Sequence, residues 1–195
     1  MRLGVLALLL LAAAPVRASA EWQVKPFVGV TSGGGGTTTF LLADPAGSKS
    51  VVFGASTVLL GEVIGVEGDV GHAPGFFTSL PRDLILGSSV TTLTGNVVLA
   101  MPRHLTDYTL RLYFVGGAGM MHVNISGQND AIVISETLPA MDLGGGVTGF
   151  LTNRVGLNWD VRHFRSLGAI DARDSIGPPA SFSFWRVGMA VAVRY

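Results

Sequence analysis

The chain has 195 residues, no cysteine, and 13 basic against 13 acidic residues. Lacking cysteine, it has neither a disulfide framework nor a lipid-modified N-terminal cysteine, and its balanced charge gives no footprint for nucleic acid. Only 13% of the residues are charged and mean hydropathy is +0.49. That is oily for a secreted soluble domain, while 27 glycines, many within apolar stretches, argue against helices.

Residues 1–20 read as a secretory signal peptide. Arg2 supplies the basic start, an apolar run follows over 3–14, and Ala18-Ser19-Ala20 is a small-x-small cleavage pattern before Glu21. The run is shorter than the about 20 apolar residues of a spanning helix. Residues 21–195 then suit one domain.

Eight alternating stretches follow, at 22–30, 50–60, 63–72, 89–101, 107–122, 138–151, 155–165 and 181–195. Each is rich in β-branched and aromatic residues and bounded by Gly, Pro, Asn or Asp, as strands are. Their connections alternate long and short, beginning with the glycine- and threonine-rich stretch after residue 30. Gly61-Glu62, 102–106 and Thr152-Asn153-Arg154 are the short turns. An even strand count, with short turns at one end and long loops at the other, is the plan of an outer-membrane barrel.

Alternate side chains of a strand point to opposite faces. In the last stretch Trp185, Val187, Met189, Val191, Val193 and Tyr195 share one face, and Phe184, Arg186, Gly188, Ala190, Ala192 and Arg194 the other. In the third, Ile64, Val66 and Val70 oppose Gly65, Glu67, Asp69 and Gly71. Lys25, Arg111, Asp142, Asp160 and Arg162 likewise sit on the faces that carry glycine and other small or polar residues. A soluble barrel would turn charges to water and bulky apolar residues inward. Here charge accompanies small residues, which suits a crowded lumen, and the bulky apolar face suits lipid, where a mid-depth charge costs about 2–4 kcal/mol. Open sheet edges are not tolerated in lipid, so the strands must close into a barrel, and eight strands leave an interior just filled by side chains. Trp22, Tyr108 and Tyr195 suit one interfacial girdle, Phe53 and Trp185 the other.

The inward charges are Lys25, Arg111, Arg162, Arg186 and Arg194 against Glu67, Asp69, Asp142 and Asp160. This near balance points to charge pairs that plug the lumen, with arginines able to fork onto carboxylates.

Residues 64–77 (IGVEGDVGHAPGFF), the glycine-dense stretch 143–151 and residues 156–165 (GLNWDVRHFR) together resemble the small outer-membrane β-barrel family that includes the transmembrane domain of outer-membrane protein A. The resemblance covers residues 21–195 and implies an all-β, eight-stranded antiparallel up-and-down barrel, held in outer-membrane lipid. The C-terminal strand is similar to the signal read by the barrel-assembly machinery, in Arg186, Gly188, Val191, Val193 and the terminal aromatic Tyr195, where phenylalanine is commoner. No peptidoglycan-binding segment follows in the sequence, so the periplasmic tether of longer members is not expected.

Some barrels of this kind modify lipid. Deacylases among them use a serine and a histidine two residues apart, oriented by a carboxylate. None of His72, His104, His122 and His163 has a serine two positions away. Glu67 and His72 make no recognisable metal motif, and Gly33 to Gly36 lack the lysine and helix of a phosphate loop. No cofactor or catalytic residue is expected. The reading is a porin-like or structural barrel with a filled lumen and four long external loops, through which an external ligand could bind. The alternatives are a lipid-modifying enzyme and a conduit for small hydrophobic molecules.

Overall fold

The structure is a computed structural model, and it describes residues 21–33, 49–76, 85–102, 105, 110–127, 133–168 and 182–195. The signal sequence with Ala18 and Ala20, and also Tyr108, His104 and Gly34 to Gly36, lie outside the described residues. Eight strands form in chain order: β1 (Glu21–Ser32), β2 (Ser50–Leu60), β3 (Ile64–Pro74), β4 (Ile85–Ala100), β5 (Leu110–Gly127), β6 (Val133–Phe150), β7 (Val155–Ser166) and β8 (Ser183–Arg194). Each pairs antiparallel with the next, and β8 returns to β1 to close the barrel. At the seam the Tyr195 N–H donates to the Trp22 carbonyl at 2.9 Å.

The alternation expected from sequence sets the faces. Val66, Leu99, Leu143 and Met189 are exposed, while Glu67, Asp69, Asp142, Arg162 and Arg186 are almost fully buried. This inverts a soluble barrel. A wall that is apolar outside and charged inside has bilayer, not water, as its stable surroundings. Trp22 and Tyr195 stand exposed at the end with the short turns, and Phe53 and Trp185 toward the other.

The strand bounds differ from the sequence reading most on one side. Residues around Asn124 and Gly127, expected in a third long loop, continue β5 to Gly127, and β6 starts at Val133 rather than 138. Both strands are 18 residues long, against 11 or 12 for β1 to β3, β7 and β8. In the extension polarity reverses while parity holds. His122, Asn124, Ser135 and Thr137 point outward, and Met121, Val123 and Leu138 are buried inward. Above the lipid the outer face meets water, so it carries polar residues and reads as a loop. Arg165 lies on the outward face of β7 and is exposed, one residue from the strand's outer end.

Candidate functional site

The lumen is the site to which every strand contributes, and it is built in three tiers. At the end with the short turns, β5 brings Arg111 over the turn between β2 and β3. Its Nη2 donates to the Gly61 and Glu62 carbonyls at 2.7 and 2.8 Å, and its Nη1 lies 3.7 Å from Glu21 Oε2. Glu21 also takes a hydrogen bond from Gln23 Nε2 at 2.7 Å and lies 3.6 Å from Arg194 Nη1. Val58, Leu60, Val98, Ala100, Tyr113 and Val115 pack as a small apolar cluster in the same part of the lumen. Lys25 lies over the Tyr113 ring, 4.8 Å from its centroid, a cation–π contact.

The middle tier is charged and buried. Arg162 forks onto Glu67, with Nη1 to Oε1 at 2.5 Å and Nη2 to Oε2 at 3.1 Å, while its Nε donates to Asp160 Oδ2 at 2.9 Å. Arg186 forks onto Asp69 at 2.8 and 2.9 Å. Both pairs reach from β7 or β8 to β3 across the interior. Asn96 Nδ2 ties the carboxylates together, 3.1 Å from Glu67 Oε1 and 3.3 Å from Asp142 Oδ2. Asp142 lies 3.6 Å from Arg162 Nη1.

Glycine makes this tier possible. Gly144 on β6 stands opposite Arg162 on β7, and a Cβ there would come within 2.9 Å of the Arg162 Cα and Cγ. At Gly71 a Cβ would meet Arg186 Nη1 at 3.0 Å and Thr92 Oγ1 at 3.1 Å. At Gly71 the missing side chain leaves room for the Arg186 guanidinium.

The third tier, at the end with the long connections, is aromatic. Phe76, Phe164, Phe182 and Phe184 are buried with Val52, Val90, Met121 and Val123, and Phe27 packs against them. Phe164 stacks on Phe184 at 5.1 Å, and Phe76 meets Phe182 and Phe184 edge-on at 5.2 and 5.1 Å. The Arg186 guanidinium lies 4.3 Å from the Phe27 centroid and 4.9 Å from that of Phe164. The aromatic layer therefore roofs the ion pairs.

Of the inward charges expected from sequence, Glu67, Asp69, Asp142, Asp160, Arg162 and Arg186 come together in one cluster. Arg111 and Arg194 sit apart from it, on Glu21. Lys25 has no ion-pair partner among the described residues. Glu21 and Asn96 were missed. In the sequence Glu21 stands as the residue after a cleavage site, though it shares the parity of Gln23 and Lys25. Asn96 carries no charge to attract notice. In the C-terminal strand Gly188 faces the lumen beside Asp160, with Val191 and Val193 on the opposite face.

The described histidines contact threonine or aromatic side chains. His72 Nδ1 and Thr91 Oγ1 are 2.9 Å apart, as are His122 Nδ1 and Thr137 Oγ1, and His163 packs on Trp185. Among the described residues no group of three or more His, Cys, Asp or Glu could hold a metal ion.

No protein-family model and no curated protein matches the sequence. Solved structures match along nearly the whole chain. Neisserial surface protein A superposes with a TM-score of 0.64 at 10% identity, over 89% of this chain and 97% of that one. The N-terminal β-barrel domain of Pseudomonas aeruginosa OprF gives 0.53 at 12%, over 92% and 100%. Ail, the attachment invasion locus protein of Yersinia pestis, gives 0.52 at 14%, over 89% and 98%. The chain thus has the fold of the small eight-stranded β-barrels of bacterial outer membranes, and its apolar belt places it in such a membrane.

Proposed function

We propose that this protein is a sealed outer-membrane barrel of structural type, a scaffold that presents its outer strands and connections to the outside rather than a pore. The observation that carries the reading is the filled lumen: two forked arginine–carboxylate pairs lie beneath an aromatic roof. A water-filled path would have to part both. Residues 1–20 act as the export leader, cut after Ala20. The C-terminal strand from Arg186 to Tyr195 addresses the chain to the assembly machinery, and an external ligand would meet the extended β5–β6 hairpin and the long connections. Ail is described as an attachment and invasion protein, a role compatible with a closed barrel.

The test is swelling of liposomes holding the purified barrel in an isotonic small sugar. Swelling no faster than protein-free liposomes is expected, and rapid swelling would refute the scaffold reading. A lipid-modifying role predicts altered acylation of outer-leaflet lipid on overexpression. The scaffold reading predicts an unchanged lipid mass spectrum.

A further inference from the structure

The lipid-facing wall is not uniformly filled. Between β5 and β8, over the backbones of β6 and β7, lies a crevice of about 410 Å³. Its walls are Leu112, Phe114, Val147, Trp159 and Val161, and its floor is Gly145. Gly145 stands opposite Phe114 on one side and Val161 on the other. A Cβ at this position would meet the Tyr113 carbonyl oxygen at 2.8 Å, so the floor stays bare. Phe114 is 73% exposed and Trp159 47%, and both rise above that floor.

Depth decides what fills it. Trp159 is near the middle of the outward row of β7, which runs Val155, Leu157, Trp159, Val161, His163, Arg165. Tryptophan normally sits at the membrane interface, where its N–H finds a polar partner. Trp22 does this, donating from Nε1 to Thr57 Oγ1 at 2.9 Å. The Trp159 N–H has no hydrogen-bond partner among the described residues, and its ring serves instead as an apolar wall. At mid-depth in a bilayer no water is at hand, so a crevice with apolar walls is occupied by hydrocarbon.

We propose that this crevice is a binding site for a single acyl chain of a membrane phospholipid, and that Phe114 and Trp159 clasp the chain over Gly145. The proposal rests on the barrel being embedded in lipid and is independent of whether the lumen is sealed. Contact with hydrocarbon on both sides of the chain adds dispersion attraction, so this position holds a chain longer than the surrounding wall does.

The chain has three tryptophans, which allows a direct reading by fluorescence. A Trp22→Phe, Trp185→Phe barrel reports from Trp159 alone, and a Trp22→Phe, Trp159→Phe barrel from Trp185 alone. Each is refolded in detergent and titrated with a dibrominated stearic acid, or with phosphatidylcholine brominated in one chain. The expected result is saturable quenching of Trp159 at a several-fold lower quencher fraction than for Trp185, which follows simple dilution. Saturation by the phosphatidylcholine supports the site, and saturation by the fatty acid alone would overturn the phospholipid as its occupant. Val147→Phe, or Leu112→Phe if the first variant does not fold, fills the crevice and should bring the Trp159 curve onto that of Trp185. Superposable curves with both quenchers, or saturation that survives the filling variant in a folded barrel, would overturn the site. Absence of quenching at Trp185 as well would count against the membrane reading itself.

Discussion

Arg162 is the residue on which the interior turns. It is 1% exposed and binds Glu67 and Asp160 at once. Removing one member of a buried pair leaves the other charge without its partner, at a cost of about 3–5 kcal/mol. Arg162→Ala should therefore lower unfolding stability by that order. Combined with Glu67→Ala the loss should be clearly less than the sum of the two single losses, because the residues share one interaction. Urea titration of the barrel in lipid vesicles reads both, and strictly additive losses would deny the pairing. The outward neighbour answers to different physics. Val161→Arg puts a charge into the apolar belt and should cost about 2–4 kcal/mol at the bilayer midplane. Folding into vesicles as stable as that of the unaltered barrel would mean that the faces of β7 are assigned the wrong way round.

Among the elements, β8 closes the barrel, pairing with both β7 and β1. Its end is tied twice to the rest of the chain: Arg194 N–H donates to the Arg154 carbonyl at 2.8 Å, and Tyr195 N–H to that of Trp22 at 2.9 Å. Deleting Tyr195 removes one seam bond and the terminal aromatic of the proposed assembly signal. Outer-membrane levels should fall, with aggregate or degradation in the periplasm, and fractionation showing normal levels would dismiss the signal. The same end of the seam holds the start of β1. Glu21 is buried between Arg111 and Arg194, so a leader left attached would emerge beside an ion cluster. The mass of the exported protein should correspond to a chain beginning at Glu21, and any other start would displace the cleavage site.

For the whole molecule, the barrel and its two faces were legible because one constraint, alternation against lipid, acts on every strand. Val66 and Glu67, or Val161 and Arg162, declare their sides by chemistry alone. The extension of β5 and β6 was not legible, since Asn124 and Ser135 face water there and a polar outer face looks like a loop. The identity of the ion pairs was hidden for another reason. Parity puts Lys25, Arg111 and Arg162 in one lumen, but barrel closure and strand tilt decide that Arg162 meets Glu67 while Lys25 meets the Tyr113 ring. The aromatic roof was legible only in part: Phe184 shares the inward parity of Arg186, but Phe76 lies just outside β3, where alternation gives no direction. In the proposed reading roof and ion pairs together close the interior, and conductance across a planar bilayer tests that closure most directly. The account predicts no steady single-channel current from the purified barrel. A stable conductance of porin size would contradict it.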